Sequence, residues 1–454
     1  MHTLRTATRS SIKILGLLCG LTLLFASCEK VDFDESSDPT AISETETISI
    51  EEQSNLLQQV YHLPTKGMDE YQIQTYYREA FRGTDAEDRS LLSEQLASIT
   101  YDQAAGHRGV HAKSNPTIIS PAGATSDFGT GITTNRNQVL VGDEGEVSVY
   151  EQSGSGYTKV QSITFANGAG TILSAAGDWL AVGYPGSFAN NFADAEVVLF
   201  RYSRGTWEEK QTLTAPGLLL FGEDVAMDLK SMAVLARESG ARSIIIRYRW
   251  DGRSWNETDR MGSGNFFWDM DMQRGIIVAN GFQGSDFFNS KVYIYISNFR
   301  GTTEQTVPIP GALSRQISID NGTILASVAF KPFFAGINNT GFIYTANRGV
   351  WKLAAEITPP VPFASSAQGV GLKIKGNKAL VSHPVFGFIV EEGDATFVFE
   401  GSGSNWSLTD TFTPSDDNGL GSIYGVETGL AIHGSKVLVG APGRNGATGK
   451  VYVH

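Results

Sequence analysis

The sequence predicts an all-β fold in which a unit of short strands recurs seven times, and three observations carry the prediction. An apolar strand ending in a small residue recurs as QVLVG (138–142), WLAVG (179–183), MAVLA (232–236), IIVAN (276–280), ILAS (324–327), ALVS (379–382) and VLVG (437–440). After a loop of variable length each is followed by an alternating strand: EVSVYE, EVVLFRY, SIIIRYR, KVYIYIS, GFIYTAN, ATFVFEG and GKVYVH. Composition agrees, because 50 Gly, 25 Phe and 15 Tyr with only 18% charged residues suit short strands joined by turns better than a helical bundle.

Taken in order, residues 1–27 have the form of an export signal. Arg5, Arg9 and Lys13 precede the apolar run ILGLLCGLTLLF, which falls short of the roughly 20 apolar residues of a membrane span. Phe25-Ala26-Ser27-Cys28 resembles the lipobox of bacterial lipoproteins, with Phe25 where that motif usually has Leu. The resemblance implies that Cys28 becomes the lipidated first residue of the mature chain, anchored in the outer membrane of a bacterial cell envelope. An ordinary cleaved signal followed by a free Cys is the other reading. Cys19 and Cys28 are the only cysteines, and Cys19 lies in the segment to be removed. No internal disulfide is then expected, and a large core must hold the fold.

The net charge of −13 is uneven, since residues 29–113 hold 17 acids against 7 bases. Residues 28–48, with EKVDFDESSD right after Cys28, read as an acidic flexible tether, or as a signal for display on the outer face of the membrane. No stretch is basic enough to favour nucleic acid. Residues 49–105 read as short amphipathic helices. Ser49-Ile50-Glu51-Glu52 and Thr84-Asp85-Ala86-Glu87 have capping-box spacing, with Leu92, Leu96 and Ile99 following on one helical face.

From residue 115 to 454 the chain repeats. Tight turns such as AGDW, DNGT, KGNK and HGSK join the first two strands of a unit, and a fourth strand begins at an aromatic in GTW, GRSW, GVW and GSNW. Tyr157 takes the aromatic's place in the first unit, and RGTT lacks it. The segments FGTG (128–131), FGEDVAMD (221–228) and above all VLVGAPGRNGATGKVYV (437–453) resemble FG-GAP repeats, the units of integrin-α-type β-propellers and of many bacterial surface proteins. The resemblance implies a seven-bladed β-propeller of four-stranded blades. The last unit supplies only three strands, whereas NPTIISPAG (115–123) is a lone strand-like segment before the first complete unit. Pairing the two closes the last blade with an N-terminal strand and removes two open edges.

Catalytic, nucleotide and cofactor motifs are absent, and His383 and His433 read as turn or packing residues. The first turns lack the oxygen ligands of a Ca²⁺ loop, so neither a metal nor a cofactor is expected. Asp224 and Asp228 on one first strand, and Asp269 and Asp271 on the next, alternate with apolar residues and would line a propeller's channel. There they either serve structure or act as an acid and base pair on a glycoside. The loops at 184–195, 280–290, 330–341 and 383–395 mix Phe, Asn and Gly. Phe188, Phe192, Phe282, Phe287, Phe333, Phe334, Phe386 and Phe388 are the candidate ligand-binding residues, unless the rings fold inward and plug the loops. The expected role is binding or adhesion through these loops, to an envelope or extracellular glycan or protein. A glycan-active enzyme and a structural subunit of an envelope complex are the alternatives.

Overall fold

Two tight turns and a longer loop fold each repeated unit into an up-and-down sheet. The computed structural model describes residues 116–121, 127–154, 156–238, 242–284, 290–298, 301–310, 316–327, 340–359, 371–383, 395–413, 428–443 and 448–454, all in one compact unit. Cys28, the tether and the helices expected over 49–105 lie outside the described residues.

After a short β1 (Thr117–Ile119), β2 (Ile132–Asn135), β3 (Gln138–Asp143), β4 (Glu146–Ser153) and β5 (Gly156–Thr164) form a four-stranded antiparallel sheet. The next consists of β6 (Ile172–Ala176), β7 (Trp179–Tyr184), β8 (Glu196–Ser203) and β9 (Thr206–Leu213). A seven-stranded sheet follows: β10 (Leu219–Asp228), β11 (Ser231–Arg237), β12 (Ser243–Trp250), β13 (Trp255–Gln273), β14 (Ile276–Gln283), β15 (Lys291–Asn298) and β16 (Gly301–Pro308). Two further four-stranded sheets are β17 (Ile317–Asp320), β18 (Thr323–Ser327), β19 (Gly341–Asn347), β20 (Val350–Ile357), and β21 (Leu372–Lys375), β22 (Lys378–His383), β23 (Ala395–Ser402), β24 (Asn405–Phe412). The last joins β25 (Leu430–His433), β26 (Lys436–Ala441) and β27 (Lys450–Val453) to β1, with Thr117 opposite Val453 and Ile119 opposite Val451.

One expectation is corrected here. The sequence separates the strand that begins at Trp255 from the acid-bearing strand of Asp269 and Asp271, but β13 runs through both without a loop. Gly262 and Gly264 at φ 78° and 95°, and register shifts at Ser243/Ile245 and Phe267/Asp269, bend the strand from one unit into the next.

The sheets stand face to face, with their cores between them. Leu140 and Val149 pack with Leu180 and Val198, Val234 and Ile246 with Trp179 and Val197, and Leu380 and Val398 with Val439 and Tyr452. Central strands are covered on both faces, which is why they read as unbroken apolar runs rather than alternations. The first strands of successive units lie side by side: β2, β6, β10, the second half of β13, β17, β21 and β25, with β25 also next to β2. Residues of all these strands line one common channel, and repeated sheets set side by side in this way are the architecture of β-propellers.

Two sequence signatures now have a physical cause. The glycine that ends the second strand in three of the units admits the backbone of the next: a Cβ on Gly142 would lie 2.1 Å from the Gly170 carbonyl, one on Gly183 2.4 Å from that of Gly222, and one on Gly440 1.9 Å from that of Gly129. Phe128 and Phe221 beside those glycines are fully buried. The aromatic that opens a fourth strand is gripped by the preceding sheet. Gln161 donates to the Trp207 carbonyl and accepts from its N–H, both at 2.8 Å, and Gln211 does the same for Trp255 at 3.0 and 2.8 Å. Substituting Gln161→Ala or Gln211→Ala strands a peptide group at this joint, so each should cost about 1–3 kcal/mol in denaturant unfolding. Wild-type stability in both variants would show that the joints contribute nothing.

Candidate functional site

A sheet's innermost strand is an edge, and its outward N–H groups need acceptors where no backbone reaches them. The channel residues supply them. Asp269 accepts from Ile317 N at 2.8 Å, and Asp271 from Ile319 N at 3.1 Å and from Ser318 Oγ at 2.9 Å. One sheet further on, Gln316 accepts from Leu372 N at 2.8 Å, Ser318 from Ile374 N at 3.3 Å, and Asp320 from Gly376 N at 2.7 Å. One unit earlier, Asp224 accepts from Met270 N at 2.8 Å and Asp228 from Gly275 N at 2.9 Å, while Ser174 accepts from Met227 N at 3.0 Å. Alternate positions of one strand thus bond the strand beside it.

The channel these strands enclose has a volume of about 240 Å³. Within it the carboxyls of Asp224 and Asp269 are hydrogen-bonded to each other. Burial pushes Asp224 up to about 6, and burial together with the neighbouring Asp224 charge raises Asp269 well above the usual carboxylate range. Burial and the neighbouring carboxyl thus favour the protonated form at both positions. Lys373 lies 3.3 Å from Asp271. Burial alone would lower its pKa, but the charges of Asp271, Asp269 and Asp224 raise it above the ordinary lysine value. Among the described residues no group of three or more His, Cys, Asp or Glu is placed to hold a metal ion.

Three of the four acids expected in the channel, Asp224, Asp269 and Asp271, are brought together there, with Gln316, Asp320 and Lys373 joining them unforeseen; Asp228 instead holds the Gly275 turn. Their signal was available as polar residues at i, i+2 on successive first strands. His433 Nε2 lies 2.9 Å from the Arg136 carbonyl at a turn; His383 ends β22.

The loop at 184–195 is built around Asp194. Its carboxylate accepts from Ser187 N at 2.9 Å and Asn190 Nδ2 at 2.8 Å, and these donors hold its pKa below the usual range. Phe188–Asn190 form one 3₁₀ turn, and Phe192 N bonds the Ser187 carbonyl at 2.9 Å. Phe192 is half-buried and sits at φ 59°, a left-handed backbone that an aromatic rarely adopts. Phe282 departs from the expectation of an exposed loop ring. β14 runs on through Gln283, pairing Phe282 with Phe266, and the two rings stack at 5.1 Å with Phe282 only 2% exposed. Phe287, Phe333, Phe334, Phe386, Phe388 and the Phe188 side chain lie outside the described residues.

The pKa of Asp224 gives a pH prediction. Its folded-state value lies above its unfolded value, so the fold holds the extra proton and stability falls as pH rises from about 4 to about 6. Asp224→Asn keeps an acceptor for Met270 N and a donor toward Asp269 without the charge. It should melt higher than the parent above pH 6.5 and lose that advantage near pH 4. Parallel melting-temperature profiles for the two proteins would refute the assignment.

No family model matches the chain, and no curated protein matches it. Among solved structures, a crystal structure of the mitotic checkpoint complex aligns with 76% of this chain and 96% of its own at 11% identity and a TM-score of 0.49. The RRP9 WD40 repeats align with 76% of this chain and 100% of their own at 9% identity and a TM-score of 0.49. Kluyveromyces lactis Hsv2 aligns with 72% and 98% at 12% identity and a TM-score of 0.46.

Proposed function

We propose that this chain is an outer-membrane lipoprotein, anchored through Cys28, whose seven-bladed propeller of FG-GAP type is a binding and adhesion scaffold for an envelope or extracellular glycan or protein. The blade count follows from dividing β13 between two blades, and β1 on β27 supplies the fourth strand that closes the ring. One observation carries the binding reading: the Asp194-braced loop holds an aromatic, Phe192, in a left-handed conformation. Strain retained on an ordered surface loop is a mark of function. The channel carboxylates, by contrast, are engaged in bonds between blades, which favours binding over hydrolysis.

A glycan-active enzyme is the second reading, favoured by Asp224 and Asp269 lining one channel with both carboxyls raised by burial. Screening the whole protein against glycans and envelope proteins separates the two. Capture without cleavage, weakened about tenfold or more by Phe192→Ala at unchanged melting temperature, supports the scaffold. Cleavage that vanishes in Asp269→Asn supports the enzyme.

The anchor has its own test. Cys28→Ser should move the protein from the membrane to the soluble fraction and abolish labelling by a fatty-acid probe. Unchanged fractionation and labelling would remove the lipoprotein claim.

A further inference from the structure

The face opposite the variable loops carries the turns between first and second strands and between third and fourth strands. It is basic on a chain whose net charge is −13. Arg204, Lys230, Arg253, Arg274 and Arg348 are exposed there, and none makes an ion pair among the described residues. The acids at these turns are engaged: Asp178 by Arg136, Glu400 by Lys378, Asp251 by the N–H groups of Arg253 and Ser254, Asp228 and Asp320 by those of Gly275 and Gly376, and Glu151 by Gln138. Arg204, Arg274 and Arg348 occupy left-handed positions at φ 53°, 50° and 52°, each followed by Gly. Asn or Gly fits such a position with less strain than Arg. The described residues show only four exposed large apolar side chains, and two of them, Leu229 at 63% and Val350 at 66%, sit among these cations.

The direction of β1 adds an independent observation. Thr117 lies opposite Val453, and His454 pairs with Val437 beside the Gly434–Ser435 turn, so the chain enters the domain on this same face. We infer that the turn face docks on the surface of an anionic phospholipid bilayer, with guanidinium and ammonium groups on headgroup phosphates and Leu229 and Val350 reaching the interface. Cations interleaved with exposed aliphatic tips suit a bilayer better than a soluble polyanion, which offers the tips nothing. The proposal rests on the Cys28 anchor only for which membrane lies nearby.

The test is flotation of the full chain carrying Cys28→Ser with vesicles of phosphatidylcholine alone or mixed with phosphatidylglycerol. Since this binding needs no acyl chain, its failure is distinct from failure of the anchor. The protein should float with the anionic vesicles and be released by high salt. Combined Arg204→Glu, Arg274→Glu and Arg348→Glu should weaken binding by on the order of a hundredfold, at about 1 kcal/mol per charge near the surface, while the melting temperature stays unchanged. If that variant is destabilised, the same comparison is made with Gln at the three positions. Leu229→Trp should show blue-shifted emission on anionic vesicles only. Equal binding to neutral vesicles, binding unaffected by the Arg substitutions, unshifted emission from the Leu229→Trp variant, or retention on dextran sulfate without flotation would each overturn the proposal.

Discussion

The structure depends on satisfying the inner edges of separate sheets. First strands pair with their own second strands on one side and turn their other edge toward the neighbouring unit, where from β6 to β21 N–H groups of that edge meet side-chain acceptors. These acceptors belong to the neighbouring first strand. Asp269, Asp271 and Gln273 accept from Ile317, Ile319 and Asn321 of the next unit, and Gln316, Ser318 and Asp320 accept from Leu372, Ile374 and Gly376. Charged acceptors make stronger bonds than neutral ones, which favours aspartate at several of these positions despite the cost of gathering like charges. The upward shift of Asp224 and Asp269, which favours their protonated forms, and the cation of Lys373 beside Asp271 relieve that cost.

The same problem recurs at the periphery with a different solution. There the fourth strand's edge is bridged by an amide, which donates and accepts at once, so one Gln satisfies both groups of Trp207 or Trp255. Between rim and channel the sheets meet through close-packed aliphatic cores, and at the end of the second strand through glycine backbones in direct contact. Polar, apolar and steric joints therefore succeed one another from channel to rim. A unit must carry all three to be compatible with its neighbours, which is the physical content of the repeat.

Most of the strand order was legible because its causes are local. Unbroken apolar runs mark strands covered on both faces, Gly and Asn mark tight turns, and the lone TII of residues 117–119 had only one unpaired edge to seek. What the sequence did not disclose depends on neighbours far away in the chain. Asp269 has the same spacing whether it awaits a substrate or accepts from Ile317, 48 residues on. Phe282 follows a strand ending and looks like a loop ring until Phe266 is placed opposite it. The continuity of β13 is hidden because Gly262 and Gly264 look like a turn in sequence, whereas together with bulges they bend an unbroken strand. Asp194 escaped notice because its role is to receive donors from its own loop, a pattern with no fixed spacing.

These constraints also separate the molecule's two faces. An up-and-down sheet of four strands places its tight turns at one end and its longer connections at the other, and stacking such sheets side by side repeats that polarity around the axis. The tight turns are bound to geometry: Gly275, Asn321 and Gly376 have their N–H groups held by the preceding strand, leaving the backbone there little freedom to change. Variation on that face is confined to side chains at the turn tips, and there the chain places Arg204, Arg274 and Arg348. The longer connections carry no such obligation, so loops such as 184–195 can lengthen and acquire a brace like Asp194 without disturbing the joints. Charge on one face and shape on the other are thus the two kinds of specificity this architecture leaves open, and the chain has used each where the joints permit it.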